Sequence, residues 1–180
     1  SKNNRLKKIK IIDSSSASVG LGLLAMYAVD LQKSGKSFNK IISMLNKKKQ
    51  EIELYAIFDD LKYIVKGGRV PSKIKTIANL LRLRPVLGAK KGNLKPRGVL
   101  YGKSRVVNKL AHFLSKKIKN ENKYRLLVAH SNAKERGNKL MKKLTSQHPN
   151  IDEAYLLELG GALGAHAGPN SLVVAFHPLD

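Results

Sequence analysis

The sequence predicts a mixed α/β domain, a sheet of about six strands, mixed or largely antiparallel, flanked by helices. Three observations predict it. Short apolar runs of strand length alternate with longer segments whose apolar residues recur at helical spacing. Two strand-like runs flank Lys91-Gly92-Asn93, the signature of a hairpin. The stretch from Ser18 is apolar on nearly every face, as a helix buried against a sheet would be.

The elements follow in order. Ile9 to Ile12 is a short apolar strand after a basic stretch, ending at Asp13-Ser14. The helix from Ser18 carries Val19, Leu21, Leu23, Leu24, Met26, Tyr27, Val29 and Leu31, and Gly35 ends it. Ser37 caps a second helix with Phe38, Ile41, Ile42 and Leu45 on one face. Ile52 to Phe58 fits a strand, Asp60 to Lys66 a short helix broken by Gly67-Gly68, and Ser72 to Leu81 a further helix. Leu83 to Ala89 and Leu94 to Tyr101 form the hairpin, and Ser104 opens a helix with Val107, Leu110, Ala111, Leu114 and Ile118. Tyr124 to Ala129 is a dense apolar strand. Asn132 with Glu135 has capping-box character and starts a helix through Leu144. Ala154 to Leu159 and Leu172 to Phe176 are the last strands, joined by a glycine-rich loop that holds His166.

At 180 residues, one good-sized domain can bury roughly 70% of its unfolded surface. The chain has no cysteine, which removes disulfides, thiolate metal sites and a cysteine nucleophile, and fits a cytoplasmic location. The longest uncharged apolar run, Val19 to Val29, is about half of a membrane span, so an integral membrane protein is not expected. The first residue is serine, and an excised or processed piece is the expectation. Net charge is +23, from 35 basic and 12 acidic residues. The lysines are scattered and no aromatic residues interleave with them as a base-stacking platform would require. A solvated basic surface is therefore favoured over a nucleic-acid-binding module, which stands as the alternative.

Several motifs fall away on inspection. Gly35-Lys36-Ser37 and Gly102-Lys103-Ser104 match only the end of a phosphate loop, because Asp30 and Arg97 occupy the position of the required glycine. The five histidines lie too far apart for local metal spacing. Asp59-Asp60 precedes a helix and suits capping better than acid–base chemistry. A hydrolase built on His166 lacks a visible nucleophile and acid. No cofactor or metal is implied.

Three stretches remain. Asp13-Ser14-Ser15-Ser16-Ala17-Ser18 leads into a helix whose free amides attract anions, or it is an ordinary serine cap. Gly67-Gly68-Arg69 sets a fork-shaped guanidinium after two permissive glycines, or it is a helix stop with a surface arginine. Gly164-Ala165-His166-Ala167-Gly168-Pro169 presents an imidazole among residues too small to shield it.

Phe58-Asp59-Asp60-Leu61-Lys62-Tyr63-Ile64-Val65-Lys66-Gly67-Gly68-Arg69 resembles the Asp-Thr-Leu-x-x-Leu-x-x-Gly-Gly-Arg segment of the DegV family. These are bacterial fatty-acid-binding proteins that present the fatty acid to a kinase. Leu80-Leu81-Arg82-Leu83-Arg84-Pro85-Val86-Leu87 is similar to that family's Leu-Leu-x-Ile-Lys-Pro-Ile-Leu segment, and the His166 run to its terminal Gly-x-His-x-Gly-Pro. Asp13-Ser14 with Ser18 and Gly20 resembles its domain junction. The resemblance implies a long-chain fatty acid held non-covalently by a chain with no catalytic machinery of its own, and a separate fatty acid kinase as partner. It implies ligand contacts from His166, Arg69, Gly164, Gly168, Ser14 and Ser18, with Arg69 and His166 on one face beside an apolar cleft. Residues 1–13 would be a remnant strand of a preceding domain and 14–180 the second, lipid-binding domain. The hydroxyl motifs of the family's first domain do not occur here. Without that domain, self-association or a displaced first dozen residues is expected. Asn170, in place of the family's glycine, and Tyr101, near a common basic position, are departures.

Overall fold

The strands Glu53–Ile57, Tyr124–His130 and Leu172–Pro178 carry apolar side chains on both faces, because helices cover the sheet from both sides. The computed structural model describes residues 9–74, 76, 83–90, 92–102 and 104–179. Its elements run α1 (Ser18–Lys33), α2 (Phe38–Lys48), β1 (Glu53–Ile57), α3 (Lys62–Lys66), β2 (Leu83–Lys90), β3 (Asn93–Tyr101), α4 (Val106–Ser115), β4 (Tyr124–His130), α5 (Lys134–Gln147), β5 (Ile151–Glu158), α6 (Gly161–Ala167) and β6 (Leu172–Pro178). The six strands form one sheet in the order β3-β2-β1-β6-β4-β5. Only β4 and β5, joined through α5, are parallel; every other pair is antiparallel. The mixed, largely antiparallel sheet expected from the sequence is the one observed.

Strand alternation divides the core into two layers. Tyr55, Ile57, Leu126, Val128, Leu172, Val174 and Phe176 point one way and meet Leu110 and Leu114 of α4 with Leu140 and Leu144 of α5. Leu54, Ala56, Leu127, Ala129, Val173 and Ala175 point the other way, toward Val19 and Leu23 of α1, Ile64 of α3 and Ala167 of α6. Leu24, Tyr27 and Leu31 of α1 then pack on Leu45 of α2. The hairpin closes at Gly92, whose φ of +77° suits glycine, and its tip is tied down where the Gly92 N–H donates to the Ser15 carbonyl at 3.1 Å.

Five expectations change. Residues 9–14 form no strand; Ile9 and Ile11 lie in solvent, 86% and 89% exposed. An isolated apolar run without a neighbour to pair with has no reason to extend as a strand. The loop holding His166 contains a helix, α6, because Ala162, Leu163 and Ala165 favour helix strongly enough to outweigh Gly161 and Gly164. Asn132 adopts φ +46° and leaves the N-cap position of α5 to Ala133, so no capping box forms. Helix α4 starts at Val106, two residues after Ser104, behind Arg105 at φ +51°. Helix α1 is buried on one side only: Leu21 and Val29 are 50% and 49% exposed. Of the helix expected over Ser72 to Leu81, Ser72, Lys73 and Ile74 are helical and most of the remainder lies outside the described residues.

Candidate functional site

The short helix α3 ends in a geometry that glycine makes possible. The Arg69 N–H donates to the Ile64 carbonyl at 3.1 Å and the Gly68 N–H to the Val65 carbonyl at 2.9 Å, with Gly68 at φ +68°. This paired closure requires a left-handed residue after the helix, so Gly68 is fixed by conformation. It turns the chain sharply and sends Arg69 back over the sheet. Arg69 is exposed and Nη1 donates to the Gly67 carbonyl at 3.2 Å.

Gly67 is fixed by space instead. A Cβ built there would stand 2.1 Å from His166 Nδ1, so the imidazole lies directly against the Gly67 backbone. Gly168, at φ +70°, closes α6, and a Cβ there would meet the Tyr63 ring at 2.2 Å. The Gly-Gly-Arg turn and the histidine segment therefore interlock through two glycines, although about a hundred residues of chain separate them.

Below them lies an open cleft of about 530 Å³. Leu54, Ala56 and Phe58 of β1 and the loop after it form the floor with Val173 of β6 and Ala89 and Leu94 of the hairpin. Ser16 to Ser18 line one rim; Arg69, Leu163 and His166 line the other. Arg69 carries the cleft's only charge among its described lining residues. A mostly apolar trough with a guanidinium and a half-buried imidazole at its rim suits a long apolar ligand with one anionic end. His166 makes no hydrogen bond to any described residue.

The loop after β1 is strapped in place beside this site. Asp60 Oδ1 accepts from the Lys62 N–H at 2.8 Å, the capping role its position suggested. Asp59 instead accepts from Arg84 Nη1 at 2.7 Å, and Arg136 Nη1, 3.5 Å away, donates at 2.9 Å to the Asn170 carbonyl. These bonds tie the segment after β1 to the start of β2 and to the segment before β6.

Of the six residues named from sequence, His166, Arg69 and Ser18 line the cleft. Ser14, Gly164 and Gly168 do not. Ser14 Oγ instead donates to the Ser16 carbonyl at 3.1 Å and accepts from the Ser16 N–H at 3.2 Å, which uses its hydroxyl within the turn. Gly164 lies within helix α6, and Gly168 packs on Tyr63. Ser16, Asn93 and Leu163 were missed. Asn93 could have been found by closing the hairpin tip onto the serine segment; nothing in the sequence singles out Ser16 within a run of serines. Gly35, at φ +73°, ends α1 with the same paired closure, which accounts for Gly35-Lys36-Ser37 without a phosphate. Among the described residues no helix is long and apolar enough to cross a membrane, and no cluster suits a metal ion.

A family model described as "uncharacterised protein, DegV family" matches residues 2–179. A DegV domain-containing protein of Clostridium perfringens is 31% identical over 169 residues, which is 93% of this chain and 58% of that protein. The chain thus spans little more than half the length of such relatives. Among solved structures, DegV of Bacillus subtilis, described as a fatty acid binding protein, superposes with a TM-score of 0.79 at 25% identity over 93% of this chain and 60% of that one. A DegV family protein of Thermus thermophilus, whose structure describes fatty acid binding, superposes with a TM-score of 0.84 at 22% identity over 97% and 62%.

Proposed function

The chain belongs to the DegV family, and from that premise we propose that its cleft binds a long-chain fatty acid non-covalently, carboxylate toward Arg69 and His166. The observation that carries this reading is the pairing of an apolar floor with a rim whose one charge is a guanidinium. Magnitudes divide the labour. Burying an acyl tail is worth about 0.8 kcal/mol per methylene, about 12 kcal/mol gross for a fourteen- to sixteen-carbon chain. A charge-assisted hydrogen bond adds about 1.5–3 kcal/mol. The tail supplies affinity, and the polar rim sets direction.

The residues at the rim bind and orient; no described residue beside His166 completes a nucleophile–base pair. A carrier that delivers the carboxylate to a separate kinase fits this arrangement, since a head group at an open rim stays accessible to a second protein. The test is organic extraction of the purified protein followed by mass spectrometry, then calorimetric titration with palmitate. A co-purifying fatty acid and weaker binding by His166→Ala, by about 1–3 kcal/mol with the unfolding transition unchanged, are expected. Extracts without fatty acid and no heat of binding would overturn it.

A further inference from the structure

Strands β4 and β5 are the sheet's one parallel pair, and α5 crosses between them. Among the described elements, only here do two carboxyl strand ends meet the amino end of a helix. Parallel strand–helix–strand units take ligands outside the carboxyl ends of their strands. His130, the last residue of β4, is in register with Glu158, the last of β5. By alternation both share the α5 side of the sheet with Leu126 and Val128, away from the cleft over Leu54, Ala56 and Val173.

A recess of about 340 Å³ opens there, lined by His130, Asn132, Lys134, Leu156 and Glu158 among others. His130 is 5% exposed, and its Nδ1 accepts from the Ala133 N–H at 3.4 Å, which places the proton of the neutral ring on Nε2. Nε2 bonds to no described residue, yet it is not sealed in the protein as the His148 ring nitrogens are; it opens into the recess that the ring lines. A buried donor turned to a cavity calls for an acceptor. Helix α5 adds more donors. It has no side-chain cap, and the N–H groups of Lys134, Glu135 and Arg136 bond to no described residue. Lys134 and Glu158 are exposed, and neither forms an ion pair with a described residue. Glu135, the acid of the first turn, does not line the recess.

The spacing along the chain points to the kind of ligand. In a Gly-x-Gly-x-x-Gly turn the first glycine makes the bend, the second admits a pyrophosphate to the backbone, and the third lets the helix pack on the sheet. An acid about twenty residues further on takes the ribose hydroxyls. Asn132, Lys134 and Gly137 stand at the three positions. Asn132 makes the bend at φ +46°. Gly137 permits the packing, since a Cβ there would lie 2.7 Å from Leu156 Cδ1. Glu158 is the acid at the required separation. The departure is Lys134, whose side chain bars a pyrophosphate from the backbone and offers its ammonium to a single phosphate.

We propose that this recess binds a ribonucleoside monophosphate. Its phosphate sits between the amino end of α5, the Lys134 ammonium and the His130 Nε2–H, and its ribose hydroxyls donate to the Glu158 carboxylate. The recess shares no described lining residue with the apolar cleft, so the site stands whether or not the cleft holds a fatty acid.

The test is calorimetric titration of the full chain with AMP, deoxy-AMP, adenosine and inorganic phosphate. A chain of charge +23 attracts any anion, so the deciding comparison is between AMP and deoxy-AMP, which carry equal charge. AMP is expected to bind roughly tenfold more tightly than deoxy-AMP, with adenosine and phosphate weaker than AMP by at least as much. Glu158→Ala should erase the preference for ribose. Lys134→Gln should weaken AMP and deoxy-AMP alike, whereas Lys36→Gln, in the turn between α1 and α2, should change neither. All three positions are exposed, and circular dichroism checks that each variant folds. In a nitrogen-labelled chain the His130 ring signals should shift with AMP while those of His148 stay in place. Equal affinity for AMP and deoxy-AMP, phosphate binding as tight as that of AMP, or no binding of AMP would each overturn the proposal.

Discussion

Glycine does two different jobs on either side of one peptide bond. Gly68 needs its positive φ, whereas Gly67 has an ordinary φ of −71° and needs only the space that the His166 ring occupies. A methyl group at 67 is therefore tolerated by the backbone but must push the imidazole aside. Gly67→Ala is expected to weaken palmitate binding about as much as His166→Ala does while leaving α3 intact. Calorimetry alongside a crystal structure of the variant checks this, and native affinity with a displaced ring would show that His166 does not orient the head group. His148 raises a separate matter. It is buried, 8% exposed, with neither ring nitrogen hydrogen-bonded to a described residue, and desolvation pushes its pKa below the usual histidine value. The unfolded chain, titrating near pH 6.5, then binds a proton that the folded chain resists. Stability from the neutral ring is complete above about pH 6.5 and is lost as pH falls from there toward the lower folded value. The melting temperature should drop between neutral and mildly acidic pH, and His148→Leu should flatten that dependence; an unchanged slope would rule His148 out as its source.

Between elements, one guanidinium holds three together. Arg125 of β4 donates from Nε and Nη2 to Glu153 of β5 at 2.7 and 2.8 Å, and from Nη1 to Asp30 of α1 at 2.6 Å. Its hydrogen bonds hold the Glu153 carboxyl below the usual carboxylate range, so that part of the stability is present above about pH 4.3 and fades as pH falls. The arginine side chain is 7% exposed but the carboxylates are 44% and 33% exposed, so its removal leaves charges that water can reach. Arg125→Met should cost about 1.5–3 kcal/mol in urea unfolding. Lys123→Met breaks an ion pair whose lysine is 72% exposed, and should leave the urea midpoint almost unchanged. Similar costs would mean that burial does not set the worth of these pairs. The same contrast explains what was legible in the sequence. Hairpin, strand and helix existence followed from local periodicity, and His166 and Arg69 were visible because small residues surround them. The Gly67–His166 contact was not, because it depends on a fit between segments about a hundred residues apart. Nor was α6, where short-range helix preference and two glycines pull in opposite directions. Ile9 to Ile12 shows the converse: its strand pattern carries no information about whether a partner strand is present.

At the scale of the molecule, one group of exposed apolar side chains lies beside the outermost strand of the sheet. Leu21 and Val29 on α1 are exposed, as are Tyr155 and Leu157 on β5, 44% each. Tyr155 is in register with Leu127 and Leu157 with Ala129, and those two partners belong to the layer beneath α1. The four side chains thus share the α1 side of the sheet, beside its outermost strand. β5 pairs only with β4 and presents its other edge unpaired among the described strands. Exposed apolar side chains next to an open strand edge favour pairing with another copy of the same surface. The charge of +23 opposes close approach of two copies, but screening confines that repulsion to about 10 Å at 0.1 M salt. Contact at this edge can therefore win as salt rises. Sedimentation velocity should show association that grows with protein concentration and with salt. Tyr155→Lys with Leu157→Lys should return the protein to monomer without lowering its melting temperature, since neither side chain is buried. A wild-type chain that stays monomeric at high concentration in high salt would show that repulsion and the acidic groups along β5 are enough to protect this edge.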